Sequence, residues 1–422
     1  MVAIQFDYLN DYSHSREVQK PRCNHTILVF FVIWLFATCA FVLYFSHNEE
    51  AIQVYLRGLK NEYASKRLVC YYNFPSTKDD LRPENIDAKL CTHIIVGFLK
   101  VNSSHELGVT KEQVEILNQL KFLKNKNVDV KVLISVGGAG NVKGWSRMVY
   151  NHTNRKRFIR SVRIFLENNI LDGIDLDWEY PNDINIYPRE RIHFTQLVEE
   201  FRMHINRNKY KFIVSVAVPY LPFIVDTSYQ IYYLNKFADF INLMSYNYHY
   251  FSNLTPFTGL NSPLIRSPLD HGIFESLNIN DTLIYYQQQG MDKNKINVGL
   301  PTFGHSFTLF NQYNNGLYAP SRGYGTVGNQ GFASYSDILK FLQSENVLHN
   351  FDSATQSPYA VRKLEWVSFD NNDSLALKAK FIMDEGFGGV MMYSLNADDF
   401  SGILGKEFSL TRSVKNILVK YS

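Results

Sequence analysis

The chain has 422 residues, 45% of them hydrophobic and 20% charged, and a formal net charge of +3. These proportions describe a globular chain long enough for one large domain and an additional element. So small a positive charge argues against a polyanionic partner, nucleic acid included.

Residues 1–25 are polar and read as a cytoplasmic tail. Residues 26–45 are apolar, and no Asp, Glu, Lys or Arg lies between Arg22 and Glu49. A helix of ~20 residues spans ~30 Å, the thickness of the hydrocarbon core of a bilayer. A cleaved signal peptide is the competing reading, but its apolar stretch runs only ~7–15 residues and follows a shorter leader. A retained transmembrane signal anchor is therefore expected at 26–45. Arg16, Lys20 and Arg22 precede the span, and Glu49 and Glu50 follow it. The basic side stays cytoplasmic, so the expected topology is a single-pass type II membrane protein with its large domain lumenal or extracellular. Residues 46–66 form a stem. Beyond it only Cys70 and Cys91 remain, and an even pair in an oxidising compartment suggests one disulfide. Glycosylation acceptors of the Asn-X-Ser/Thr type occur at Asn102, Asn151, Asn253, Asn280 and Asn372, which suits an exported face.

From residue 67 onward, apolar runs alternate with amphipathic ones. Strands are expected at 68–73, 92–101, 130–137, 173–180, 212–219, 240–247, 296–303 and 389–395, with helices between them at 111–126, 155–169 and 189–206. Eight strands alternating with helices indicate an α/β fold of the (β/α)8 TIM barrel type. A doubly wound sheet is the alternative, disfavoured by the eight repeats and the length. About 85 residues separate the seventh and eighth strands, far more than an ordinary connection needs. They are read as a small α+β insertion at about 306–366 of a barrel covering 67–422. Chemistry in such barrels sits at the C-terminal ends of the strands.

The fourth strand carries the strongest signal. Ile174, Asp175, Leu176, Asp177, Trp178 and Glu179 alternate strictly, and period two means a strand. Asp175, Asp177 and Glu179 share one face. Same-face neighbours lie ~7 Å apart at Cα. Three ionised carboxylates at that spacing disfavour one another, so at least one should keep its proton near neutral pH. A protonated carboxyl is what general acid catalysis requires. A solvated acidic edge strand is a poor alternative, because Leu176 and Trp178 demand a covered face. A magnesium or calcium site remains compatible with clustered oxygens.

Asp172, Asp175, Asp177 and Glu179, followed by Tyr180 and Pro181, resemble the signature of glycoside hydrolase family 18, the chitinases and chitinase-like lectins. The resemblance spans about residues 67–413 and recurs at 68–72, 91–98, 135–138, 244–247, 299–309 and 388–400. It implies hydrolysis of β-1,4-linked N-acetylglucosamine polymers, with chitin or its oligosaccharides as partner and no metal or organic cofactor. By the same resemblance Glu179 would protonate the leaving oxygen. Asp177 would hold the substrate's acetamido N–H, Asp175 would share a proton with Asp177, and Tyr246 would hydrogen-bond the acetamido carbonyl. Asp172 would support the loop entering the strand, and Cys70 and Cys91 fall where the family has a disulfide. Tyr71 and Phe98 would line the cleft floor, although barrel packing explains them equally well. Gly137 and Gly138 would let substrate approach the backbone, and Tyr180, Met244, Asn247, His305 and Tyr393 would complete the cleft.

The chain departs from the family pattern at four places. Ala139 stands where a tryptophan follows the glycines, Asn247 replaces an aspartate, Phe303 a tyrosine, and Tyr393 the tryptophan under the sugar being cleaved. These departures set a second hypothesis beside the enzyme: a chitin-oligosaccharide lectin or regulatory pseudoenzyme. A third, a membrane receptor using the barrel to bind protein, has no sequence feature of its own.

Overall fold

Runs rich in Val, Ile and Leu, each buried on both faces, become the wall of a closed parallel barrel, as expected for strands covered by helices on one side and by a filled lumen on the other. In this computed structural model the described residues are 66–421 except 78, 183–188 and 404, together with Trp34 and Thr38. The strands are β1 (Arg67–Asn73), β2 (His93–Val101), β3 (Leu107–Gly108), β4 (Lys131–Gly137), β5 (Gly173–Asp177), β6 (Ile213–Pro219), β7 (Phe240–Met244) and β8 (Ile296–Pro301). They are followed by β9 (Phe303–Leu309), β10 (Ser321–Tyr324), β11 (Phe332–Ser334), β12 (Leu348–Asp352), β13 (Ser357–Arg362), β14 (Glu365–Ser368) and β15 (Gly389–Tyr393). The barrel runs β1-β2-β4-β5-β6-β7-β8-β15, and β15 pairs back onto β1. Every neighbouring pair in it is parallel. The short β3 adds an antiparallel hairpin to β2.

The helices cover the outside. His152–Asn169 shows how one is specified. Asn151 caps it by accepting from the Asn154 N–H, Ile170 ends it in the left-handed conformation, and Phe158, Ile159, Val162 and Leu166 bury one face. That spacing is an apolar stripe of helical period.

Between β8 and β15 lies the insertion, an antiparallel sheet in the order β10-β9-β14-β13-β12, with β11 also on β9 and the helix Tyr335–Leu342 against it. Phe307, Leu309, Ala319, Val361 and Trp366 form its core, joined by Leu260 from the connection between β7 and β8. Its boundaries are wider than the expected 306–366. Only Thr302 separates β8 from β9, and Thr302 turns the chain by bonding to the Tyr393 and Ser394 carbonyls at 3.0 and 2.6 Å. Phe303 and His305, expected at the end of a barrel strand, therefore belong to the insertion.

The expected tail, membrane span and stem lie outside the described residues, apart from Trp34 and Thr38, which are both helical. Among the described residues, no helix is long and apolar enough to cross a membrane. The chain divides into two units, Met1–Ser65 and Lys66–Ser422, and the second contains the whole barrel. Cys70 and Cys91 form a disulfide that ties β1 to the entry of β2. Of the five glycosylation acceptors, Asn151, Asn253 and Asn372 are exposed, while Asn102 and Asn280 are half-buried.

Candidate active site

The acidic strand is β5, and its alternation sends the two kinds of side chain in opposite directions. Trp178 points out into the helical layer, stacked on Trp145 with centroids 5.4 Å apart and an interplanar angle of 9°. Trp145 is therefore a packing residue and no substitute for the missing cleft tryptophan. Asp175 and Asp177 point into the barrel, 0% and 3% exposed. The strand stops at Asp177 rather than at residue 180. Its neighbour β4 ends at Gly137, which pairs with Asp177, and β6 pairs no further than Leu176. Glu179 and Tyr180 leave the sheet there and enter the cleft.

Asp175 is held by four donors. Tyr71 and Ser135 hydroxyls donate to its Oδ2 at 2.8 and 2.7 Å, and the Ser215 hydroxyl and Asn242 Nδ2 donate to its Oδ1 at 2.7 and 3.1 Å. Burial pushes this carboxyl above its ordinary range, and the side-chain donors oppose that rise. Asp177 has a different environment. Its Oδ1 is buried with no hydrogen-bond partner. Burial pushes its pKa well up, and the charges of Glu179 and Asp175 push it further. No hydrogen bond joins Asp175 to Asp177, so the expected proton sharing has no direct bridge in this structure. Glu179 is half-buried, raised by burial and partly relieved by a hydrogen bond from Tyr180. Like charges and a poorly solvated site thus favour a proton on this cluster.

The cleft floor is aromatic. Tyr71 lies 5.5 Å from Tyr393 and 6.2 Å from Phe98, centroid to centroid. Tyr246, only 5% exposed, stacks on Tyr393 at 5.6 Å and 25°, and meets the Phe303 ring edge-on. Met244 packs against the same group. Tyr71, Phe98, Tyr246, Tyr393, Met244 and Phe303 are thereby brought together at the strand ends beside Asp177 and Glu179.

Asn247 and His305 form a pair at the side of the cleft. Asn247 adopts a left-handed φ of 63°, which Asn tolerates better than most residues. The Asn261 amide receives its N–H at 2.9 Å, and Tyr220 donates to its carbonyl at 2.8 Å. His305 Nε2 lies 2.8 Å from Asn247 Oδ1. Burial pulls this imidazole down to about 4, so it is neutral near pH 7 and donates to the amide oxygen.

The protein's own packing requires Gly137 and Gly138 to lack a side chain. A Cβ on Gly137 would stand 1.9 Å from the Asp177 carbonyl, and one on Gly138 would stand 2.6 Å from the Phe98 ring. Both have positive φ, at 115° and 79°, where only glycine is unstrained. Gly138 N–H also donates to the Asp177 carbonyl at 2.7 Å. Asp172, at the other end of β5, accepts from the Val132 N–H and pairs with Lys124, both at 2.7 Å. It holds the strand entry and is remote from the cleft.

Sequence reasoning does not single out Ser215, Asn242 or Asn297. The available signal is a lone polar residue at an inward position of an apolar strand, as in Val214-Ser215-Val216, Ile241-Asn242-Leu243 and Ile296-Asn297-Val298.

Comparisons with known proteins agree with this geometry. The sequence model of "Glycosyl hydrolases family 18" matches residues 67–398. Human "Chitinase-3-like protein 2" is 34% identical over 350 residues, 80% of this chain and 88% of that protein. Mouse "Chitotriosidase-1" is 32% identical over 354 residues, 80% of this chain and 75% of that protein. A solved structure described as "Human YKL-39 is a pseudo-chitinase with retained chitooligosaccharide binding properties" superposes with a TM-score of 0.78 at 32% identity. It covers 84% of this chain and 100% of its own.

Proposed function

Since the chain belongs to glycosyl hydrolase family 18, we propose that it hydrolyses β-1,4-linked N-acetylglucosamine chains, with retention of configuration, in the cleft above β5. The observation that carries this reading is the intact acidic strand, with Glu179 half-buried and its pKa raised by that burial. In the first step Glu179 gives its proton to the glycosidic oxygen as the bond to C1 breaks. The substrate's own acetamido oxygen attacks C1, so no carboxylate nucleophile is needed. The oxazolinium ion formed carries positive charge beside Asp177, which favours the ionised form of that carboxylate. Asp177 accepts the acetamido N–H, and Tyr246 donates to the acetamido oxygen. In the second step the Glu179 carboxylate takes a proton from water as it opens the ring. Release of labelled sugar from a chitooligosaccharide tests the reading. Glu179→Gln should cut the rate ~100- to 10,000-fold; equal rates in the two proteins would refute it.

A second reading is a chitooligosaccharide-binding protein without turnover. Tyr393 in place of tryptophan favours it, since tyrosine offers a sugar a smaller stacking face. So does the relative described as a pseudo-chitinase with retained chitooligosaccharide binding. Binding without product at every pH would establish it. We also propose that residues 26–45 anchor the protein in a membrane with the barrel on the lumenal or outer side. The uncharged run from Arg22 to Glu49 supports this.

A further inference from the structure

The barrel carries a polar chain along its axis. Arg67 opens β1 at the N-terminal end, opposite the cleft. Its Nε donates to Asn297 Oδ1 at 2.8 Å, Asn297 Nδ2 donates to Asn242 Oδ1 at 3.1 Å, and Asn242 Nδ2 donates to Asp175 Oδ1 at 3.1 Å. Asn297, Asn242 and Asp175 are each 0% exposed.

The direction of this chain is dictated by its first member. A guanidinium has only donors, so the Asn297 amide must offer it oxygen. The Asn297 NH2 is then left for Asn242, whose oxygen must face it. The Asn242 NH2 is left in turn for Asp175. Amide orientations are normally assigned by the surrounding network, and here an obligate donor at one end settles them all. Asp175 thus receives a donor at the far end, while hydroxyls of Tyr71, Ser135 and Ser215 meet its other lone pairs. An ionised carboxylate has about four such sites. A proton on Asp175 would turn one hydroxyl away in a place closed to water.

We propose that Arg67 and Asn297 are positioning residues of the acidic cluster: acting through Asn242, they hold Asp175 ionised, so that the proton of the strand resides on Asp177 or Glu179.

The surrounding charges are compatible with this. Arg67 is pulled down to about 10 by burial and raised by Asp239, which leaves it cationic at any pH of interest. Its guanidinium also lies 5.0 Å from the centre of the Phe240 ring. Asp239 is engaged by Arg202 at 2.6 Å. Of the neighbours of Arg67, Lys66 and Lys295 are both lowered by burial and by its charge. His93 on β2 is held at about 3 by burial, Arg67 and Lys131, and stays neutral. Next along the chain are Asp177 on the same strand and Glu179 just beyond it, and Tyr71 faces Asp175 from β1, its phenol pushed well up and neutral. The buried, unpartnered Oδ1 of Asp177 fits a neutral carboxyl better than a carboxylate.

The role in turnover rests on the hydrolase reading above, whereas the charge on Asp175 does not, and one experiment separates them. The full chain is labelled with 13C at the aspartate carboxyl carbons, and the Asp175 signal is assigned by its loss in Asp175→Asn. In wild type that signal should keep its carboxylate position from about pH 6 to 8, above the titration that burial has raised. In Asn297→Leu the chain is cut, and the signal should titrate with a midpoint about one unit higher or more. In Asn297→Thr the hydroxyl can accept from Arg67 and donate to Asn242, so the flat profile should return. If the leucine variant does not fold, Arg67→Gln removes both the charge and the obligate donor that orients the Asn297 amide, and it should move the signal the same way. A wild-type Asp175 that titrates within this range overturns the proposal, as does an unmoved signal in a folded Asn297→Leu or in Arg67→Gln. In parallel, the basic limb of the pH–rate profile for chitooligosaccharide should move up in the leucine variant, because the proton leaves Asp177 and a charged neighbour disfavours ionisation of Glu179. If the carboxyl signals behave as expected but no variant hydrolyses sugar, the axial chain stands and the hydrolase reading falls.

Discussion

At the scale of single residues, two groups with displaced pKa values give opposite pH signatures. Glu179 has a folded-state pKa above its unfolded one. Below the ordinary carboxyl range it is neutral in both states, and its stabilising contribution is complete. As pH rises through the folded-state value, the native state must ionise a poorly solvated acid, and that contribution is lost. Glu179→Gln should therefore be more stable than wild type near pH 7, and the gap should close on acidification. Thermal melts of both proteins between pH 4 and 8 measure this; a gap of constant size would mean that the site is well solvated. His305 shifts in the other direction. It is held at about 4 by burial, with the Asn247 amide oxygen 2.8 Å from its Nε2. Asn247→Asp puts an opposite charge at hydrogen-bond distance, which should raise the imidazole pKa by about 1–3 units. Below the new value the added carboxylate is matched by the imidazolium, and Glu179 feels little net change. Above it, the bare carboxylate becomes one more negative neighbour and raises the pKa of Glu179, so the basic limb of the pH–rate profile should move up. The imidazole should titrate near neutrality by NMR in this variant and not in wild type. An unchanged imidazole together with an unchanged rate profile would show that the pair does not couple to the acids.

At the scale of elements, the disulfide staples the first two strands. Cys70 lies in β1 and Cys91 just before β2, with a sequence separation of 21. Closing a loop of that length removes unfolded-chain entropy worth ~3 kcal/mol. The double variant Cys70→Ala, Cys91→Ala should lose about that much in a denaturant titration. A much smaller loss would credit the loop's own bonds, such as Tyr72 hydroxyl to the Leu81 carbonyl at 3.0 Å and Asp80 to the Ser76 and Thr77 N–H groups. The barrel strands are legible in sequence because each is an apolar run of strand length between helical periods. Their ends are less so. The alternation from Ile174 to Glu179 continues past the last hydrogen-bonded pair, because Trp178 still has a helical layer to bury itself in while Glu179 already faces the cleft. Periodicity reports which side is covered, not where the neighbouring strand runs out. For the same reason β9 merges with β8 in a reading by pattern, since a single residue, Thr302, makes the turn. The three carboxylates stand out because charge on a buried strand is rare. The polar residues that hold them do not, because a lone Ser215 or Asn242 inside an apolar run carries no periodic signal and gains its meaning only across the barrel.

At the scale of the whole molecule, the question is which compartment the barrel occupies. Residues 26–45 are long enough to span a bilayer as a helix. The flanking charges orient such a span with residues 1–25 in the cytoplasm. Two features of the barrel unit suit the opposite side. Cys70 and Cys91 are bonded, which persists in oxidising compartments and is rare in the cytosol. Asn151, Asn253 and Asn372 are exposed acceptors, so a transferase could reach them without unfolding a strand. Asn151 also caps a helix through its Oδ1, and a glycan on the amide nitrogen leaves that oxygen free to keep accepting. The intact chain should therefore stay with membranes through alkaline extraction, and its barrel should be protected from protease in sealed vesicles. Glycosidase treatment should lower its apparent mass, and Asn253→Gln should remove one step of that change. A soluble mature chain starting beyond residue 45 would make the apolar run a cleaved leader and leave the glycan prediction intact. A membrane-bound chain without glycans, and with its barrel open to protease, would instead reverse the orientation, since the same run would then insert with its basic flank outside.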